Sequence, residues 1–191
     1  MLNQAASFLV QTLCNLLILA FMLRFYMNLT ATSFRHPFAH FITSITNFAV
    51  RPLRRTLPGF KKIDLASLLP AFLLSILLES ISALLNGMTL LHLINAWGGI
   101  LLLSSVNLLQ TLIHILMGVV IIQAILSWIA PYNPAQSMLD SLSWPVMRYA
   151  RRILPTFGGV DLSPLLVLIF CQLILIVPIS ALIGLAYRLM Y

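Results

Sequence analysis

Residues 37–69 read PFAHFITSITNFAVRPLRRTLPGFKKIDLASLL, and residues 134–166 read PAQSMLDSLSWPVMRYARRILPTFGGVDLSPLL. Set over one another at an offset of 97, without a gap, 12 of the 33 positions are identical. The identities pair Pro37 with Pro134, Ser44 with Ser141, Arg51 with Arg148, Arg54 with Arg151, Arg55 with Arg152, Pro58 with Pro155 and Asp64 with Asp161. They include most of the charges, which chance matching of apolar residues does not produce. The chain therefore contains an internal repeat, and each unit reads as span, helical segment, basic turn, span.

The surroundings of the two segments say where the units sit. Of the 191 residues, 61% are hydrophobic and 8% charged, with a mean hydropathy of +1.03. A soluble domain is roughly 25% charged. So few charges cannot cover a water-facing surface, which excludes a soluble enzyme and leaves a membrane protein. Eleven Lys and Arg against four Asp and Glu give a net charge of +7. Arg35, Arg51, Arg54, Arg55, Lys61 and Lys62 stand against Asp64 in the first segment, and Arg148, Arg151 and Arg152 against Asp140 and Asp161 in the second. Elsewhere only Arg24, Glu79 and Arg188 are charged.

The apolar runs around these segments are long enough for the ~20 residues that a span needs. The spans are expected at 5–29, 65–86, 104–130 and 162–186. The first lacks the basic n-region of a secretory signal, since the first charge is Arg24, and reads as a retained helix. Met88 to Ala130 is 43 residues without a charge. As one helix it would measure ~65 Å, twice the hydrocarbon thickness. Two spans there would put the Arg-rich segments on opposite sides of the membrane, whereas one span puts both on the same side. The positive-inside rule favours one. The expected fold is an all-α membrane protein with four transmembrane helices in two parallel repeats, related by a pseudo-twofold along the membrane normal. Both basic segments then face the cytoplasm, and both termini lie outside. The units are 1–87 and 104–191. The connector 88–103 lies at the outer interface with Trp97, and Gly98-Gly99 reads as a turn, as does Gly158-Gly159.

Between the spans of the first unit, Phe38, Phe41, Ile42, Ile45, Phe48, Ala49 and Leu53 recur at helical spacing on one face. Met138, Leu139, Leu142, Val146, Tyr149, Ala150 and Ile153 do so in the second. Pro37 and Pro134 suit helix starts, Pro58 and Pro155 stops, and Pro52 and Pro145 internal kinks. Such helices lie in the interface, with the arginines among phosphates. Arg51, Arg54, Arg55, Arg148, Arg151 and Arg152 are the candidate lipid- or partner-binding residues, each worth ~1 kcal/mol near an anionic surface. A passive topological anchor is the competing reading. No aromatic interleaves with the arginines on the polar face, so nucleic acid is not an expected partner.

Asp64 and Asp161 open the second and fourth spans and read as helix N-caps. Pairing with Arg55 or Arg152 is the alternative. Arg24 reads as a snorkelling residue near the inner end of the first span. Glu79 is the only acid inside a span and needs a partner there. Counting depth at 1.5 Å per residue places it level with His114 and Asn15, so these three form an expected intramembrane polar layer. Cys14 and Cys171 read as buried small hydrophobes. There is no GxSxG, HExxH or P-loop, and the scattered histidines make no metal site. No catalytic residue and no cofactor is expected.

The runs Arg54-Arg55-Thr56-Leu57-Pro58-Gly59-Phe60 and Arg151-Arg152-Ile153-Leu154-Pro155-Thr156-Phe157-Gly158-Gly159-Val160-Asp161-Leu162-Ser163-Pro164 closely resemble the YggT family in its two-repeat Gram-negative form. Asn133-Pro134 after Leu126-Ser127-Trp128 fits it too. Relatives include the YlmG proteins and plastid homologues. The first unit departs in Lys61-Lys62 for Gly158-Gly159 and His36 for Asn133. The resemblance implies a bacterial inner-membrane protein. Members are associated with osmotic tolerance and ion uptake, with division or nucleoid distribution, and with cofactor assembly on membrane cytochromes in plastids. It carries over no catalytic residue. Two function classes follow. One is a non-enzymatic organiser whose partners are anionic phospholipids, other integral membrane proteins and, as an alternative, further copies of itself. The other is a transporter or channel component in ion or osmotic homeostasis.

Overall fold

The computed structural model describes residues 2–32, 36–56, 64–130, 133–153 and 161–190, with side chains from residue 7 onward, Pro134 apart. The described residues are almost all helical, with no strand among them. In chain order they form α1 (Leu2–Leu29), α2 (Pro37–Thr56), α3 (Leu65–Leu85), α4 (Leu90–Asn95), α5 (Trp97–Ile129), α6 (Pro134–Ile153) and α7 (Ser163–Ile174). A π-helical turn, Leu175–Ile179, joins α7 to α8 (Ser180–Met190). Four stretches are long and apolar enough to cross a membrane: Ser7–Leu29, Leu65–Leu85, Trp97–Ile129 and Ser163–Met190. The expected stops Pro58 and Pro155, the Gly158-Gly159 turn, and the bases Arg35, Lys61 and Lys62 lie outside the described residues.

The third span departs from its expected limits. It begins at Trp97, not at 104, so the connector splits into short α4 and the first turns of α5. Gly98-Gly99 is therefore helical and not a turn. Gly99 serves close packing instead: a Cβ there would fall against Met190 Cγ and 2.8 Å from the Ala186 carbonyl oxygen. Small residues let membrane helices approach in this way. The turn lies earlier, at Gly87 (φ +91°), where Met88 N–H donates to the Ala83 carbonyl and closes the end of α3. At the end of α1 the same kind of closure, Thr32 N–H to the Met27 carbonyl, puts Ala31 at φ 52°.

α5 is the central helix and packs on α1, α3, α6, α7 and α8. Its neighbour α3 buries Ser67, Ala71 and Ser75 at four-residue spacing, and α3 packs extensively on α1. In lipid, where apolar burial between helices gains little, such small-residue stripes carry association. The main core gathers Phe21, Met22 and Met27 from α1, Val119 from α5 and Leu142 from α6. The two units are also bonded directly, the Tyr26 hydroxyl donating to the Leu142 carbonyl at 2.6 Å.

Candidate functional site

α2 and α6 each run unbroken through an internal proline, Pro52 and Pro145. The face of α2 that meets the bundle is Ala39, Ile42, Thr46 and Val50. Phe38, Phe41, Ile45 and Phe48 instead stay exposed, so the apolar stripe expected to act as one face is divided between bundle and exterior. α6 divides likewise, burying Leu142, Met147 and Ala150 while exposing Trp144, Tyr149 and Ile153. The reason is that α2 has two apolar neighbours to satisfy, the spans beside it and whatever surrounds the molecule.

The six arginines separate into two kinds. Arg54 Nη2 lies 2.5 Å from Asp64 Oδ2, and Arg151 Nε lies 3.0 Å from Asp161 Oδ2. The pairing partners are thus Arg54 and Arg151, where the sequence pointed to Arg55 and Arg152. One residue along a helix is a rotation of ~100°, enough to aim one side chain at the aspartate and its neighbour away from it. All six are exposed, but Arg51, Arg55, Arg148 and Arg152 have no side-chain ion pair or hydrogen bond among the described residues.

The two aspartates differ in detail. Asp64 stands at the cap position of α3, but its side chain makes no cap bond to the backbone. Its Oδ2 instead accepts from Asn28 at 2.7 Å, Arg54 and Ser67 Oγ at 2.8 Å, so α1, α2 and α3 meet at one oxygen. Asp161 accepts from the Ser163 amide at 2.9 Å through Oδ1. Burial alone would raise its pKa; the Ser163 bonds and the Arg151 charge outweigh that and hold the carboxyl below its ordinary value.

Arg24 does not snorkel. It is buried, and its Nη1 donates to Thr46 Oγ1 at 2.8 Å and Asn47 Oδ1 at 3.1 Å on α2. A helix laid across the end of α1 removes the water that a snorkelling side chain would seek. In the second unit Gln123 of α5 reaches α6, donating to Asp140 Oδ1 at 2.5 Å.

Within the spans, Asn15, Glu79 and His114 line one cavity of about 180 Å³. The hydrogen-bond partner of Glu79 is Asn107, whose Nδ2 donates to Oε1 at 2.7 Å, and not His114. Asn107 stands seven residues before His114, on the same face of α5 and two turns away. The signal that could have found it was its own polarity in an uncharged helix. Among the described residues no group of three or more His, Cys, Asp or Glu could hold a metal ion.

No solved structure matches the chain. Among similar proteins, an uncharacterized Pseudomonas aeruginosa protein, PA0392, is 34% identical over 179 residues, covering 91% of this chain and 87% of its own. The uncharacterized protein YggT of Escherichia coli K12 is 32% identical over 169 residues, covering 88% and 86%. A protein of Vibrio alginolyticus, described as an uncharacterized protein in the proC 3′ region, is 34% identical over 169 residues, covering 87% and 89%. The CCB3/YggT family model matches residues 3–97 and again 102–182, once for each repeat. With two matches spanning nearly the whole chain and four apolar helices to carry them, this is a multi-pass membrane protein that belongs to the CCB3/YggT family.

Proposed function

We propose that the protein is a non-enzymatic organiser of inner-membrane assemblies. In this reading α2 and α6 rest on the cytoplasmic leaflet, both termini lie outside, and the exposed arginines hold anionic headgroups while exposed apolar faces receive other integral membrane proteins. The observation that carries it is the sorting of the arginines: Arg54 and Arg151 are each paired with an aspartate of the same chain, while Arg51, Arg55, Arg148 and Arg152 have no such partner among the described residues and lie on helices that also expose Phe48, Tyr149 and Ile153. A basic face next to exposed aromatics is what an interfacial helix uses on an anionic surface. Each free arginine is worth ~1 kcal/mol there, about fivefold in affinity. Replacing all four by glutamine should sharply reduce phosphatidylglycerol retained by the purified protein in native mass spectrometry, and strip partners from mild-detergent pull-downs of native membranes. Unchanged retention and partners would overturn the reading. Reporter fusions after Asn86 and Tyr191 should both read periplasmic.

A transporter or channel component is the second reading, supported by the polar cavity around Glu79 and Asn107. Ion or solute flux in proteoliposomes without any partner, abolished in a stably inserted Glu79→Gln protein, would establish it in place of the first. If Glu79 is structural, Glu79→Gln keeps folding and function, while Glu79→Leu leaves Asn107 unpaired and loses stability.

A further inference from the structure

A second cleft, of about 310 Å³, opens where α5, α6 and the start of α7 converge, at the end of the bundle that carries the arginines. That volume is at the small end of the ~300–1,000 Å³ of small-molecule sites. Its polar lining includes Gln123, Gln136, Asp140, Arg151 and Asp161.

The hydrogen bonds of this lining are incomplete in one sense only. Gln123 is 6% exposed, and its Oε1 has no partner among the described residues. The amide cannot be turned to cure this, because Nε2 faces the acceptor-only carboxylate of Asp140. Gln136 Oε1 is likewise buried and unpartnered. Asp140 itself stands exposed, with only the neutral Gln123 amide bonded to its carboxylate among the described residues. The cleft therefore has an exposed carboxylate with one neutral donor and, buried in its wall, two amide oxygens that lack donors. Its charge is also unbalanced: Arg151 and Asp161 neutralise each other, which leaves the negative charge of Asp140.

A cationic group with several N–H donors meets both needs. Arg151 touches Asp161 through Nε, which leaves the outer edge of its guanidinium for an anionic oxygen. The rim is apolar and open, with Trp128 75% exposed and Leu165 also outward, continuous with the exposed faces of the spans. We propose that this cleft binds the headgroup of a zwitterionic phospholipid bearing a primary ammonium, that is, a phosphatidylethanolamine. The ammonium sits at Asp140 with Gln123 and Gln136 beside it, the phosphodiester sits at Arg151, and the acyl chains run past Trp128 and Leu165. Choline has no N–H to give these acceptors, and phosphatidylglycerol brings a negative charge without the ammonium. The site uses different residues from the exposed arginines and does not rest on their docking role.

The test uses the full-length protein in mild detergent, exchanged with dioleoyl phosphatidylethanolamine, phosphatidylcholine or phosphatidylglycerol, with bound lipid read by native mass spectrometry. One phosphatidylethanolamine per chain should be retained about tenfold more tightly than phosphatidylcholine, the worth of the N–H bonds that choline cannot make. Asp140→Ala, which removes the acceptor together with its charge, should erase that preference and leave phosphatidylglycerol binding at the exposed arginines unchanged. Should that variant fail to accumulate, Gln136→Leu, at a half-buried position, must reduce the preference severalfold. Equal retention of ethanolamine and choline lipids, or an undiminished preference in either variant, overturns the proposal. So does soluble phosphoethanolamine binding as tightly as the lipid, which would make the ligand a water-soluble amine and not a membrane component.

Discussion

The corner at Asp64 and the corner at Asp161 descend from one sequence pattern and have been finished differently. In the first, the carboxylate side chain is 10% exposed and takes Asn28, Arg54 and Ser67 together. In the second it is 31% exposed, with Arg151 and Ser163 as its partners. Two residues account for the difference. At offset 97 Asn28 becomes Ile125, so that donor has no counterpart, and Ser67 becomes Pro164, the Ser163 hydroxyl one residue earlier taking its part. Tyr26, Ala39 and Thr43 become Gln123, Gln136 and Asp140, and a polar cleft stands in the second unit. The lesson is that a repeat can conserve an ion pair while one copy becomes a structural clasp and the other stays open.

The largest effect that would break this contrast comes from Asp64→Ala. It leaves Arg54, Asn28 and Ser67 without their shared acceptor and should destabilise the protein by about 2–3 kcal/mol. Asp161→Ala should cost under about 1 kcal/mol, as exposed pairs do. Thermal unfolding of the two variants in one detergent checks the ordering, and equal losses would erase the distinction. Next in size is the clamp on the interfacial helix. Arg24→Met keeps the stem but loses the bonds to Thr46 and Asn47, and should cost about 1–2 kcal/mol. Gln123→Met should cost less, since water can serve the exposed Asp140. A graft sharpens the comparison further. Ile125→Asn with Pro164→Ser should convert the open corner towards a clasp. A double-mutant cycle with Asp161→Ala should then show a coupling of about 1 kcal/mol that the unmodified chain lacks. The smallest effect is that of pH. The folded pKa of Asp161 is depressed, so its contribution is full above the unfolded carboxylate range near pH ~4 and is lost as pH falls through the folded value. The stability gap between the protein and Asp161→Asn should therefore close on acidification, measured by thermal melts from pH 7 downward.

Much of this was legible in the residues, and what was not has physical causes. The spans, apart from the start of the third, and the starts of α2 and α6 followed from hydropathy, proline placement and the repeat. Helix rotation did not: spacing says that an arginine faces Asp64 but not whether it is residue 54 or 55. Depth counting brought Asn15, Glu79 and His114 to one cavity but missed Asn107, because a count of 1.5 Å per residue treats every helix as upright and ignores where its side chains reach. Gly99 was misread because glycine pairs punctuate chains in water, whereas between membrane helices they admit a neighbouring backbone. Arg24 was misplaced because a single helix contains no record of what lies across its end.

The widened turn at Leu175–Ile179 has a bearing on how this family can tolerate change in length. The buried stripe of the last span runs through Ser163, Val167 and Cys171, then Ile179, Ala186 and Met190. From Cys171 to Ile179 is eight residues, where two regular turns take about seven. A surplus residue in an ordinary helix would swing everything beyond it by ~100° and turn Ala186 away from Gly99. Here the extra residue is absorbed within one loop of the coil beside Pro178, and the helix resumes in phase. The span behaves like a gear train with one tooth added and the mesh preserved. Removing one residue from this turn, with Pro178 replaced by leucine, should leave the α5–α8 contact intact, whereas the same deletion two turns later would unseat it.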